Sequence, residues 1–413
     1  MQRPNSSITN LKLPLISGLL RKLIQKGRLT IIDKAGRSQD FGDAEADHHV
    51  VVRFHDKALP LKLAISPTLA LGEAYMDDRL TLESGSIREF LRIVTSNLAA
   101  LDSHSLQIMR SRFAALRPFR VGNHKMRSRA NVAHHYDLSR SLYALFLDSD
   151  WQYSCGYFPE GTETLEEAQT AKKRHIASKL LLGAGQRVLD IGCGWGGLAL
   201  ELARNHDVSA LGITLSREQL DVARARAAHE NLADRVRFDM LDYRDIDEQF
   251  DRIVSVGMFE HVGPSHYNMF FSAIARRLAP DGVGVIHAIG RRSPPGGDDP
   301  WISRYIFPGG HIPALSEVVA AVERSGLWVT DVEILRLHYA DTLLHWYDRF
   351  QKNREQARAL YDERFCRMWE FYLAACEMAF RQGDLMVFQL QLARDREVVP
   401  RTRDYIFEQE RRV

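Results

Sequence analysis

VLDIGCGWGG, residues 188–197, decides how the chain is read. An apolar run ends near an acid, Asp190, and passes into glycines at 192, 194, 196 and 197 before a helix-forming stretch begins. A strand that empties into glycines ahead of a helix lets backbone pass close to a ligand. It also presents free N–H groups and the positive end of the helix dipole. Gly192, Gly194 and Gly197 fit GxGxxG, which alone is a weak dinucleotide fingerprint. That fingerprint also wants an acid about 20 residues on, at the end of the next strand, to hold a ribose. Here that strand ends in Gly212, Ile213, Thr214 and Leu215. A nicotinamide dinucleotide is therefore disfavoured.

Outward from this loop, strands and helices alternate. QRVLDIG (186–192), VSALGITL, VRFDMLDY, FDRIVSVG and GVGVIHAIG read as strands. TLEEAQTAKKRHIASKLL, GLALELARNH, SREQLDVARARAAHE and HYNMFFSAIARRLA read as helices. The alternation predicts βαβ units and an α/β, doubly wound, mostly parallel sheet. Residues 341–383 read as a helical insertion near the C-terminus, and VFQLQLARD (387–395) as a closing strand. Gly192, Gly194 and Gly196, with Asp190 before them and Trp195 between, also satisfy GxGxG. This resembles motif I of class I S-adenosylmethionine-dependent methyltransferases, a Rossmann-like fold with a seven-stranded sheet. Asp190 is placed to fix the loop or the cofactor's ammonium. In LDY (241–243), Asp242 and Tyr243 stand where that fold commonly meets the adenine amino group and ring.

The chain has 413 residues, too long for one ordinary core, so two or three domains are expected. Residues 1–115 read as a smaller N-terminal α+β domain: a helix in LKLPLISGLLRKLIQ, strands in RLTIID, HHVVVRFH and LPLKLAI, then two helices. Residues 116–133 are a basic linker, and 134–413 the catalytic region. The linker lies within a basic joint, 110–136, where Arg110, Arg112, Arg117, Arg120, Lys125, Arg127 and Arg129 meet no acid. Such a joint is either a solvated connection or a contact with anionic lipid. It lacks the interleaved aromatics of a nucleic-acid platform, and the net charge of +2 gives no bulk attraction to one. No run of about 18 apolar residues occurs, so no spanning helix is expected. The four cysteines, 155, 193, 366 and 376, form no CxxC pair, which disfavours a disulfide framework and fits a reducing, cytoplasmic setting. His48–His49 and His134–His135 lack metal-ligand spacing, so no metal site is expected.

Beyond the glycine loop, HHYDLS (134–139), WQYSCGYF (151–158), GITLSREQ (212–219), FEHVG (259–263), IHAIG (286–290), DPWISRYIFPGG (299–310), LHYADTLLHWYDRF (337–350) and YLAACEMAFR (372–381) carry a closer likeness. The chain resembles the cyclopropane-fatty-acyl-phospholipid synthases, with the mycolic acid cyclopropane synthases as relatives. The resemblance implies transfer of a methylene from S-adenosylmethionine to a cis double bond of an unsaturated phospholipid acyl chain. Attack by the alkene leaves a carbocation, and a bound bicarbonate removes the proton whose loss closes the ring. The carried-over bicarbonate set is Cys155, Glu260, His287, Ile289 through its amide, and Tyr339. Cys376 matches a recurrent family cysteine, although its spacing among Ala374, Ala375 and Phe380 reads as a small buried hydrophobe. The carried-over cofactor contacts are Tyr153, Ser154, residues 188–196, Thr214, Leu215, Gln219 and the pair Tyr243–Arg244. Arg244 falls where some relatives have Glu. Tyr153, Tyr157, Phe158, Phe259, Trp301, Tyr305, Phe307 and Trp346 form a pool of rings for the cation, core packing being the competing account of each. The resemblance further implies a homodimer and peripheral binding to the inner face of the cell membrane. A lipid methyltransferase leaving a methyl or methylene branch stays open, because it diverges after the same cation. A non-catalytic cofactor-binding module and a dehydrogenase are more distant alternatives.

Overall fold

The computed structural model describes residues 16–100 and 139–411. The basic joint therefore lies outside the described residues, as does HHYDLS except for its serine. Two compact units emerge, and the chain passes between them more than once. The first unit gathers residues 16–100, 299–306 and 350–383; the second gathers 139–298, 307–349 and 384–411.

The second unit is built on a seven-stranded sheet. Its strands are β5 (Arg187–Ile191), β6 (Ser209–Thr214), β7 (Val236–Met240), β8 (Phe250–Val256), β9 (Leu278–Arg291), β10 (Trp328–Leu335) and β11 (Leu385–Ala393), in spatial order β10-β11-β9-β8-β5-β6-β7. The run from β9 to β7 is parallel, and β11 alone runs against its neighbours. This is the class I methyltransferase arrangement. It explains why β5 and β9 read as nearly unbroken apolar runs: strands covered on both faces bury both sets of side chains. Strand order reverses beside β5, between β8 and β6, and its glycine loop opens at that switch point, where doubly wound sheets bind ligands.

The first unit holds a four-stranded sheet of β1 (Arg28–Ile32), β2 (Ser38–Gly42), β3 (His49–Phe54) and β4 (Leu80–Ser84), in order β2-β1-β3-β4. Its helices are α1 (Ser17–Leu23), α2 (Leu59–Ile65), α3 (Pro67–Met76) and α4 (Ile87–Ala100). LPLKLAI, expected as a strand, is α2. Its alternation mimics a strand, but Pro60 sits in the first turn, where a missing N–H costs a helix nothing, and Leu61 and Ile65 are exposed. Asn97 ties α4 to the turn after α1, accepting from the amides of Gln25 and Lys26 at 2.9 Å each.

The second unit's helices are α5 (Arg140–Tyr143), α6 (Leu165–Leu180), α7 (Gly197–Asn205), α8 (Arg217–His229), α9 (Tyr267–Arg277), α11 (Leu315–Ser325) and α15 (Asp404–Glu410). The short α10 (Pro300–Tyr305) and the helices α13 (Arg354–Leu360) and α14 (Glu363–Arg381) belong to the first unit, while α12 (His338–Lys352) starts in the second and ends in the first. So much of the stretch from 299 to 383, assigned by sequence to the catalytic region, packs with the N-terminal elements. The reason is visible on α14. Its fully buried Glu377 pairs with Arg88 of α4, and Glu370 accepts from Tyr75 of α3 at 2.8 Å.

Candidate active site

The glycine loop is built as its sequence demands. Gly192, Gly194 and Gly196 all have positive φ, and Gly196 caps α7 at φ +84°. A Cβ on Gly196 would lie 2.7 Å from the Phe238 ring, so close packing of loop on strand excludes any side chain there. The amides of Gly192 and Cys193 both donate to Ile213 O, at 2.9 and 3.0 Å, fastening the loop to β6.

A cavity opens over this loop. Its lining includes Gly192, Gly194, Thr214, Leu215, Gln219, Asp242, Tyr243 and Arg244, with Met258, His261 and Gly309 closing it. The sequence-predicted cofactor contacts Gly192, Gly194, Thr214, Leu215, Gln219, Asp242 and Tyr243 are thus brought together. Thr214 donates to Gln219 Oε1 at 2.8 Å, and Ser216 caps the helix that carries Gln219. Asp242 differs from expectation. Arg244 holds both its oxygens, Nε to Oδ1 at 2.7 Å and Nη2 to Oδ2 at 2.6 Å. The Arg244 guanidinium also lies 5.5 Å from the Tyr243 ring centroid. Arg244, which falls where some relatives have Glu, is therefore what fixes the acid expected at the adenine position.

Tyr153, Ser154, Asp190, Trp195 and Gly196 do not line this cavity. Asp190 is buried with Oδ2 unpartnered, and burial pushes its carboxyl up to about 7. Trp195 packs edge-on against Trp151 and Tyr143. Tyr153 stacks on Trp346 at 5.1 Å, and Tyr339 meets the same indole edge-on at 5.8 Å. From the ring pool, Tyr153 and Trp346 gather here. Phe259 packs instead among Tyr267, Phe270 and Phe271, and Trp301 and Tyr305 sit in the first unit.

The expected anion set is carried by two pairs of elements. Glu260, after β8, accepts the Ile289 amide on Oε1 at 2.7 Å, while its buried Oε2 has no partner. Burial pushes this carboxyl up to about 7. Ile289 and His287 share one face of β9. The Ile289 amide, expected to meet an anion directly, is engaged by Glu260. His287 is buried, which holds its imidazole well below the usual range and so neutral. Cys155 and Tyr339 stand on the other pair, residues 151–158 and α12. The amide after Cys155 donates to Thr342 Oγ1 on α12 at 2.9 Å, and Phe158 N donates to His338 Nδ1 at 2.9 Å. Burial raises the Cys155 thiol, which stays protonated and is a poor nucleophile. Cys376 belongs to α14 of the first unit, its thiol pushed up to about 12 by burial.

Lys172 escaped the sequence reasoning. It is 1% exposed, and its ammonium reaches Gln152 Oε1 at 2.5 Å and Ser154 Oγ at 2.9 Å. Burial lowers it to about 8. Its field acts on Asp190, Cys155 and His287, which links the glycine loop to both pairs. A lysine within a charge-rich helix gave no signal; only its burial in the fold shows it. Among the described residues no His, Cys, Asp or Glu cluster could hold a metal.

Residues 123–390 match the family model for mycolic acid cyclopropane synthetase. The chain belongs to that family. Residues 20–104 match a domain of unknown function. The cyclopropane-fatty-acyl-phospholipid synthase of Escherichia coli K12 is 41% identical over 332 residues, 79% of this chain and 83% of that protein. The tuberculostearic acid methyltransferase UfaA1 of Mycobacterium tuberculosis is 34% identical over 390 residues, 91% of this chain and 90% of that one. Among solved structures, the mycolic acid cyclopropane synthase CmaA1 in complex with SAH and CTAB aligns with TM-score 0.60 and 35% identity, covering 67% of this chain and 99% of that one. This member of the family is an S-adenosylmethionine-dependent methyltransferase.

Proposed function

We propose that this enzyme converts cis double bonds of unsaturated phospholipid acyl chains into cyclopropane rings, with bicarbonate as the base. The carrying observation is the Glu260–Ile289–His287 cluster, buried and holding an unpartnered Glu260 oxygen. The residues fit a small anion. His287 is a neutral hydrogen-bond donor, the protonated Cys155 thiol directs its weak donor to Gly156 O, and the Glu260 carboxylate, ionised above about 7, can accept an anion's own O–H rather than confront its charge. Bicarbonate would supply a proton acceptor, and S-adenosylmethionine an electrophilic methyl. The chain's own residues do the rest. Thr214, Gln219 and the Arg244-fixed Asp242 orient the cofactor. Tyr153, Trp346 and Tyr339 offer π faces to a developing cation and exclude water that would trap it. Glu260 accepts the anion's O–H and so raises its basicity.

The substrate implies a peripheral enzyme at the inner, anionic face of the cell membrane, acting as a homodimer. The test is incubation with S-adenosylmethionine, bicarbonate and vesicles of cis-unsaturated phospholipid. A gain of one CH₂ per double bond is expected, and no gain overturns the proposal. A methyl or methylene branch is the second reading, favoured by the likeness to a tuberculostearic acid methyltransferase over nearly the whole chain. High-field ring protons in the product's NMR spectrum separate the two.

A further inference from the structure

Strand β11 carries two glutamines, Gln389 and Gln391, on one face of an otherwise apolar run, and both are fully buried. Burying an amide is costly unless its donors and acceptor are matched. Gln391 is matched. Its Nε2 donates to Lys179 O at 2.6 Å and to Tyr405 OH at 2.7 Å, and its Oε1 accepts from Thr330 at 2.9 Å. That glutamine stitches α6, β10 and α15 to the sheet and needs no further role. Gln389 is different. It stands directly across from His287 in the β9–β11 pairing, with Nε2 3.1 Å from His287 Nδ1 and Oε1 without a partner. An apolar side chain of similar size would fill the space at no polar cost. The amide has to serve the imidazole.

We infer that Gln389 is the positioning residue that sets the tautomer of His287. An amide N–H facing Nδ1 requires a lone pair there, so the ring proton sits on Nε2. Burial keeps the ring neutral, so Nε2–H is a permanent donor and Nδ1 never is. This deepens the proposed function, because it assigns which ring atom would meet a bound anion. It also explains the exception in β11: the glutamine occupies a core position because a leucine there would leave the tautomer undefined.

The test uses the full-length protein with ¹⁵N-histidine, its His287 signals assigned through His287→Gln. A two-bond proton–nitrogen spectrum without bicarbonate should show Nδ1 unprotonated and Nε2 protonated from about pH 6 to about pH 9, across the range where a free imidazole titrates. A proton on Nδ1, or an imidazolium, overturns the inference. Gln389→Glu should pull a proton onto Nδ1, and Gln389→Leu should leave mixed tautomers. Each should lower kcat by about 10–100-fold with KM for S-adenosylmethionine unchanged, the usual cost of losing a histidine's orienting partner. Folded variants with wild-type tautomer and wild-type kcat overturn it. An enzyme indifferent to added bicarbonate that keeps Nε2–H supports the tautomer assignment while overturning the anion reading.

Discussion

The cofactor cavity and the Glu260–His287 cluster lie on one sheet and follow opposite rules. In the cavity, polar groups are matched in advance: Thr214 with Gln219, Asp242 with Arg244. The glycine loop is pinned to β6 by its own amides. In the cluster, Glu260 Oε2 and Gln389 Oε1 have no partner, and burial pushes Glu260 and His287 toward their neutral forms. One region is finished before its ligand arrives. The other holds electrostatic cost that a ligand would relieve. Binding sites for a large cofactor gain from pre-organisation, whereas a site that handles a proton gains from shifted affinities.

The sharpest way to break this contrast is Glu260→Gln. We expect kcat to fall by about 10²–10⁴-fold, the usual worth of a group in acid–base work. The wild type should gain activity as pH rises through about 7, where Glu260 ionises, and the variant should lack that limb. Stability should move the other way. Folded Glu260 keeps its proton up to about 7 and the unfolded chain loses it near the ordinary value of 4.5, so stability drains as pH rises between them. Above that window the variant should be more stable by up to about 3 kcal/mol, read from denaturant curves. Equal stability would mean that no cost is stored there.

Lys172→Met carries the same logic to a cation. The folded ammonium deprotonates near 8 and the unfolded one near 10.5, so the unfolded chain binds more protons between them. Wild-type stability should climb by about 3 kcal/mol relative to the variant across that window. A flat difference would show that Lys172 is solvated.

Thr214→Val tests the finished region. Losing one matched bond should weaken S-adenosylmethionine binding by about tenfold in calorimetry, with kcat nearly unchanged. Combined with Gln219→Leu, the loss should be less than additive, since the two share that bond. A fall in kcat instead would place Thr214 with the reacting groups. The smallest effect is expected from Cys155→Ser. A hydroxyl replaces a protonated thiol, so activity should fall less than about tenfold. A folded variant that binds cofactor but is wholly inactive would return Cys155 to nucleophile.

The glycine loop, the alternating strands and most of the residues that line the cavity over that loop were legible because they are local: a glycine pattern, a strand end, a short spacing. LPLKLAI misled because a short apolar alternation fits a strand or a helix, and Pro60 settles it only in context. The excursions of residues 299–306 and 350–383 into the first unit carried no boundary signal, since α14 looks like any amphipathic helix until Arg88 and Tyr75 claim its acids.

By itself, then, the sequence determined the sheet, its ligand-bearing switch point and the kinds of residue brought to it. Tertiary structure alone decided which of those groups meet and in what charge state. Only folding sets Arg244 on Asp242, the Ile289 amide on Glu260, and Gln389 across from His287. Periodicity and spacing are written along the chain. Burial and partnership depend on residues far apart along the chain, as His287 and Gln389 are at 102 positions, and they fix proton affinities only once water has been excluded.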